Sequence, residues 1–252
     1  MKKYIFIIIG IVIFIIFASI CIMKRAAKET KAYVAFVIDD WGYNQRYIDL
    51  LLQIDRPLTL AILPNLRYSG YVAEAIKKNG NAHDIILHLP LESKRGDAVE
   101  INTIRSGMQK ADILPILEKD LGSIPGIIGV SNHQGSKVTE DKRIMRIILA
   151  ELKKRGLFFL DSRTTPNSVV PNVAREIGIK HAVRDVFLDL GEGKSELYVR
   201  KQIEKLAAVA VQKKRAIGIG HNKMATLKAI KDSIPYLEKQ GIEIVPLKEL
   251  VK

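Results

Sequence analysis

The chain has almost no cysteine. Its one thiol, Cys21, lies inside an N-terminal apolar run, so the remainder has no disulfide and no thiol chemistry to offer. A glycine-rich phosphate loop is missing as well. The first apolar run of the main segment, residues 34–38, leads into Asp39-Asp40-Trp41-Gly42 rather than into spaced glycines, which argues against nucleotide binding. Low-complexity tracts and internal repeats are absent. Acidic residues are in short supply, 27 Asp and Glu against 40 Lys and Arg, for a formal net charge of +13. Lys153-Lys154-Arg155 and Lys213-Lys214-Arg215 stand where helices should end, and the helix dipole favours cations there. An anionic envelope surface or polymer is the functional alternative. No nucleic-acid partner is expected, because the basic clusters lack interleaved aromatics and no DNA- or RNA-binding motif is found.

What is present begins with residues 5–23, an uncharged, isoleucine-rich stretch between Lys2-Lys3 and Lys24-Arg25. A signal-peptide core has about 7–15 residues, and a spanning helix needs about 20. The stretch sits at the long end, so an uncleaved signal anchor is expected, with cleavage near Ala26-Ala27 as the alternative. Ile20 before Cys21 makes a poor lipoprotein site. Residues 1–31 then form the anchor and a short basic linker, contacting the membrane through the helix. Residues 32–252 form one α/β domain outside the cytoplasm, periplasmic or extracellular, or secreted if the N-terminus is removed.

Within that domain, five short apolar runs end abruptly in polar side chains. Residues 34–38 run into Asp39-Asp40, 85–87 into His88, 127–130 into Ser131-Asn132-His133, 157–160 into Asp161, and 216–219 into Gly220-His221. Buried strands of a parallel sheet read as such runs. Helical patterns are expected between them, at residues 45–53, 68–78, 110–121, 141–155, 170–176, 196–213 and 227–240. Further strands are expected at 58–63, 180–187 and 243–245. Strand and helix alternate throughout. Seven or eight such units close into a distorted TIM-like (β/α) barrel of parallel strands, with a doubly wound open sheet as runner-up. In either fold, chemistry gathers at the carboxyl ends of the strands.

Adjacent residues at a strand end point to opposite sides, so one of Asp39 and Asp40 can bind a metal while the other faces substrate. A helix cap with turn residues is the competing reading of the pair. His88, directly after an apolar run, is a candidate ligand, and Glu92 follows four residues later, close to it only if the chain turns after Pro90. His83 and His181 fall near strand starts and read as structural. His133 is a ligand candidate in a polar strand-end loop, with Asn132 able to orient it or bind. Asp161 and Arg163 read as an ion pair supporting the site. Asp185 and Asp189 are weaker candidates. His221 can act as a general acid if an Asp or Glu sets its tautomer. Carboxylate and imidazole ligands with open positions are what zinc or a similar divalent ion needs to activate water.

The segments Val37-Ile38-Asp39-Asp40-Trp41-Gly42, Leu87-His88-Leu89-Pro90-Leu91-Glu92, Gly129-Val130-Ser131-Asn132-His133-Gln134-Gly135-Ser136, Leu160-Asp161-Ser162-Arg163-Thr164 and Ile217-Gly218-Ile219-Gly220-His221 together resemble the divergent polysaccharide deacetylases, a branch of the NodB-like carbohydrate esterases. The resemblance runs in order over about residues 32–250. It implies a distorted (β/α) barrel, a divalent metal that is usually zinc, and hydrolysis of N- or O-acetyl groups on a polysaccharide or oligosaccharide of the envelope or extracellular space. It implies that Asp39 is the catalytic base, Asp40 a metal ligand, His88 the first metal histidine and His221 the general acid. The mainstream family has a second histidine four residues after the first, where this chain has Glu92. The third ligand is therefore His133 or Glu92, with His133 preferred. The family's arginine motif has no clean counterpart, although Arg163 can do a similar job. Two other functions compete. A non-catalytic glycan-binding or scaffold protein of the envelope would keep the barrel without turnover. A metal phosphoesterase would need more carboxylates than the chain supplies.

Overall fold

The structure is a computed structural model describing residues 32–80, 83–96, 100–191 and 195–252. The expected signal anchor lies outside the described residues. Among those described, no helix is long and apolar enough to cross a membrane.

Strand and helix alternate as the pattern requires. The strands are β1 (Ala32–Trp41), β2 (Thr59–Ile62), β3 (Asp84–Leu91), β4 (Gly129–Gln134), β5 (Phe158–Asp161), β6 (His181–Val183), β7 (Val186–Phe187), β8 (Arg215–His221) and β9 (Ile242–Ile244). The helices between them are α1 (Ile48–Leu52), α2 (Ser69–Lys78), α3 (Lys110–Gly122), α4 (Lys142–Lys154), α5 (Val170–Ile177), α6 (Glu196–Lys213) and α7 (Met224–Lys239). The described strands form one sheet in the order β6-β5-β4-β3-β2-β1-β8-β7, with β9 also on β1. The pairings are parallel. The sheet curls into the expected TIM-like barrel, with β6 and β7 at its two edges.

Residues 180–187 do not form the single strand expected. They split at Arg184-Asp185. The Arg184 N–H bonds the Asp161 carbonyl on β5 at 3.0 Å, and the next N–H, from Asp185, bonds the Ile217 carbonyl on β8 at 2.9 Å. The chain thus steps from one edge of the barrel to the other within two residues. This crossing spans the gap that a regular strand would have filled.

Period-two alternation sorts the strand side chains into two cores. From β1, Val34, Phe36 and Ile38 face the helices, while Ala35 and Val37 face inward with Ala61, Ile86, Leu160, Ile217 and Ile219. The inner core is small, and Val245, Leu247 and Leu250 of the C-terminal segment help fill it. Helix starts are locally encoded: the Asp141 carboxylate caps α4 by accepting from the Arg143 and Ile144 N–H groups at 2.9 and 3.0 Å. His83 is structural, as expected, with Nδ1 accepting the Leu58 N–H at 3.1 Å.

One buried acid works against stability. Asp120, near the end of α3, accepts from Asn65 and Asn102 side chains at 2.7 and 2.9 Å through one oxygen, while the other is buried without a partner. Burial pushes its pKa up to about 6 against those two bonds, and a negative charge near a helix C-terminus is unfavourable as well. An unfolded Asp titrates near 3.9. The folded state therefore holds this proton more tightly. The cost of its charge is absent at low pH, and stability is lost as pH rises through about 6. Asp120→Asn is expected to raise the melting temperature at pH 7–8, with the gain shrinking towards pH 4, as read by thermal unfolding across that range.

Candidate active site

The carboxyl ends of β1, β3, β4, β5 and β8 meet around a cleft of about 420 Å³. Three residues there hold unfavourable backbone conformations: Asp40, Gln134 and Arg163, with φ of 64°, 53° and 49°. Each such residue costs roughly 1–3 kcal/mol, and they tend to cluster at functional sites. The turn at Asp40 coincides with the register shift in β1 between Ile38 and Trp41. It separates the two carboxylates, so that Asp39 is 2% exposed while the Asp40 side chain is 30% exposed.

Asp40, His88 and His133 converge. One ligand atom from each lies within 4.8 Å of the other two. His88 Nε2 is 3.5 Å and His133 Nδ1 3.1 Å from Asp40 Oδ1. A tetrahedral ion with bonds of about 2.0–2.2 Å places its ligand atoms about 3.3–3.6 Å apart, so the donor chemistry and the two separations from Asp40 Oδ1 suit zinc or a similar divalent ion. Asp40 Oδ1 is buried without a well-aligned hydrogen bond, which fits an oxygen directed at a cation. Behind the cluster, Ser131 Oγ lies 2.8 Å from His88 Nδ1, so that Nε2 is the nitrogen turned to Asp40. The parallel register explains the meeting: His88 is opposite Ser131, and Pro90 is opposite His133.

Glu92 is not in this cluster. Its Oε2 accepts from the Ser106 N–H and hydroxyl at 2.7 and 2.6 Å, and its Oε1 pairs with Lys137 at 2.9 Å. Ser106 first, then Lys137, hold its carboxyl down to about 2. Of the two residues weighed for third ligand, His133 joins Asp40 and His88, while Glu92 secures the loop after β3.

Asp39 and Asp40 are neighbours with opposite proton affinities. Burial raises the pKa of Asp39, against the pull of His88 and His221. Burial would raise that of Asp40 too, but the imidazoles of His133 and His88 outweigh it and hold the carboxyl well below the usual range. Asp39 Oδ2 lies 3.6 Å from His88 Nε2.

His221 stands opposite Asp39 in the β1–β8 register. Its Nδ1 is 2.7 Å from Asp189 Oδ1, and its Nε2 is 3.8 Å from Asp40 Oδ2. Asp189 is 1% exposed and also accepts the His221 N–H at 2.9 Å and the Thr226 hydroxyl at 2.6 Å. Burial opposes protonation of His221, but Asp189, Asp40 and Asp39 prevail and raise its pKa. The neighbouring acid foreseen for this histidine is thus Asp189. Gly220 keeps the support close, since a Cβ there would lie 2.6 Å from Thr226 Cγ2. Asp185 serves elsewhere, accepting the Ile217 N–H at 3.0 Å and pairing with Lys213 at 2.9 Å.

Asn132 does not face the cluster as a ligand. Its Oδ1 accepts the Ser162 N–H at 2.9 Å, and its Nδ2 donates to the Gln134 carbonyl at 2.7 Å, tying β4 to the turn after β5. Asp161 accepts the Arg163 backbone N–H at 2.8 Å. The expected Asp161–Arg163 ion pair is therefore replaced by a backbone bond, because the left-handed turn at Arg163 leaves its side chain exposed on the cleft wall. Two residues escaped the sequence reading. Phe187 stacks on His221 with ring centroids 5.4 Å apart, and the Arg184 guanidinium lies 4.3 Å from the Phe187 ring centre. Their place in the cleft follows from the crossing between β6 and β7, which no local pattern announces.

A family profile described as divergent polysaccharide deacetylase matches residues 36–251. YibQ, an uncharacterized protein of Escherichia coli (strain K12), is 29% identical over 219 residues, covering 87% of this chain and 67% of that protein. An uncharacterized protein from Agrobacterium tumefaciens C58 has a crystal structure of the same fold, with a TM-score of 0.81 at 23% identity over 87% of this chain and 89% of that one. A CE4 family pseudoenzyme from Bacillus anthracis is more distant, with a TM-score of 0.51 at 15% identity over 88% of this chain and 66% of that one.

Ser131→Ala is expected to weaken divalent-metal affinity about 10- to 100-fold by releasing the His88 ring. Glu92→Gln is expected to leave that affinity unchanged. Chelator competition on the purified protein measures both.

Proposed function

The chain belongs to the divergent polysaccharide deacetylase family, and from that premise we propose that it is a metal-dependent hydrolase removing acetyl groups from a polysaccharide of the envelope or extracellular space. The observation that carries this reading is the convergence of Asp40, His88 and His133 beside a buried Asp39 and an Asp189-supported His221. Zinc is the proposed ion, held by Asp40 Oδ1, His88 Nε2 and His133 Nδ1. Three protein ligands leave room for water and substrate. A bound divalent ion supplies Lewis-acid polarisation of the acetyl carbonyl and acidifies water.

The remaining work falls to the chain. Asp39, whose proton affinity burial increases, takes the proton from the attacking water. Asp40, held ionised by its histidines, stays a ligand. Pushing two neighbouring carboxyls apart in this way separates base from ligand. His221 donates from Nε2 to the departing sugar nitrogen or oxygen, while Asp189 fixes the proton on Nδ1 and favours the charged ring. Phe187 holds that ring from one face. The proposed setting is a domain outside the cytoplasm, anchored through residues 5–23 or released by cleavage.

Asp40→Ala is expected to lose both metal and acetate release. Asp39→Asn is expected to retain stoichiometric metal and lose about 10²–10⁴-fold in turnover. Metal analysis and acetate release from a panel of acetylated glycans read both, and retained turnover in either variant would overturn the assigned roles.

A further inference from the structure

The cleft carries positive charge beyond what the proposed chemistry uses. Arg95, Arg163 and Arg184 line it, and among the described residues the carboxylates that line it are Asp39 and Asp40, both assigned above to the reaction. Elsewhere, several arginines find acids: Arg155 meets Glu151 and Arg200 meets Asp232. Among the described residues, none of the three cleft arginines has a carboxylate within 4 Å. Arg95 and Arg163 are exposed. Arg184 is held more firmly, with Nε donating to the Ser162 carbonyl at 2.7 Å and Nη2 to the Arg163 carbonyl at 2.9 Å. Those two bonds leave further N–H donors on the fork. Asp161 is buried and accepts from the Arg163 backbone, and its charge, with those of Asp39 and Asp185, offsets only part of what burial costs Arg184.

Fixed guanidinium forks with spare donors suit bidentate capture of a carboxylate or phosphate. Arg184 is clamped by carbonyls and by the Phe187 ring, so little freedom remains to be lost when an anion arrives. Burial and the nearby charge of Arg163 both weaken its hold on its proton, a cost that an anion would relieve. Leu190, 61% exposed, lines the same cleft and gives the apolar face of a sugar ring a surface to lie on.

We propose that the cleft selects an acidic glycan, one whose acetylated sugar stands beside a carboxylate or phosphate seated on Arg95, Arg163 and Arg184. The acetyl group rests on the deacetylase reading above; the anion does not. The test uses the zinc-loaded full chain in detergent. One series of ligands is N-acetylglucosamine oligomers, the same oligomers oxidised at C6 to the carboxylate, and the same phosphorylated at C6. A second series is O-acetylated xylo-oligosaccharides and O-acetylated oligogalacturonates. Binding by calorimetry and acetate release are both read. The parent is expected to bind at least one acidic ligand about tenfold or more tighter than its neutral match. In the Arg95→Ser, Arg163→Ser double variant that preference is expected to fall to within about threefold, with an unchanged melting temperature showing that the fold is kept. Lysines at both positions should restore part of it. The carboxylate and phosphate arms separate the two sources of charge.

Equal or weaker binding of the acidic ligands would overturn the inference. So would a preference that survives in the double variant, or no measurable binding of any acidic ligand at millimolar concentration. If acidic ligands bind preferentially but no acetate is released from any ligand, the hydrolase reading fails while the anion site stands.

Discussion

The parallel register around β1 and β3 is the constraint on which the site depends. β1 lies between β2 and β8, and that pairing sets Asp39 opposite His221. β3 and β4 set His88 opposite Ser131 and Pro90 opposite His133. Because the strands run the same way, their carboxyl ends share one rim. Because side chains alternate with period two, register also decides which of them face the cleft. A slip of one residue between β3 and β4 would turn His133 to the other face of the sheet and leave Asp40 with a single histidine. The small residues of the inner core, Ala35, Ala61 and Ala182, let the strands curl enough for ends so far apart in sequence to come within a few ångströms.

The rim is costly to maintain. Two successive carboxyls are buried or half-buried, and each has an oxygen without a well-aligned hydrogen bond. Three non-glycine residues around the cleft hold positive φ. These features reduce stability and fall where the acid–base groups stand, away from the cores. The same burial gives the site its chemistry. Asp39 and Asp40 have the same side chain one residue apart, yet the turn at Asp40 brings its carboxyl closest to the imidazoles of His133 and His88 and leaves Asp39 the more deeply buried. Their proton affinities separate because burial prevails at Asp39 and the imidazoles prevail at Asp40.

Much of this was legible in the sequence. Four of the five apolar runs lie wholly or largely in a described strand and the fifth, 127–130, lies half in β4, and the polar residues after them do gather at one rim. Strands and helices alternate as the pattern implied. Residues whose placement depends on distant partners were harder to read. The third donor could not be chosen by spacing, since His133 and Glu92 both follow strand-end signals. The inter-strand register that decides between them is not written in either segment. Arg184 and Phe187 were missed because residues 180–187 read as one strand, whereas pairing with β5 at one end and β8 at the other breaks the run in two. The Asp161–Arg163 ion pair was inferred from adjacency, but backbone conformation directs Arg163 away from the acid and its N–H towards it.

The fate of Glu92 bears on whether the departure from the mainstream motif disarms the site. In mainstream relatives the position four residues after the first metal histidine is itself a histidine, so an acid there suggests a lost ligand and lends weight to a non-catalytic scaffold. Here the carboxylate binds Ser106 and Lys137, and the backbone around it is cross-tied, with the Glu92 N–H donating to the Ile104 carbonyl and the Ile104 N–H to that of Pro90. Glu92 has become the clamp of the loop that carries Arg95 to the cleft. The donor it does not provide comes from the adjacent strand, where His133 lies across from Pro90 in register. Three donors of carboxylate and imidazole chemistry thus stand within reach of one another, drawn from different sequence positions. The acid at position 92 then no longer argues for a scaffold, although a likeness of fold to the Bacillus anthracis pseudoenzyme remains. At 15% identity that likeness describes the barrel, and turnover decides between hydrolase and scaffold.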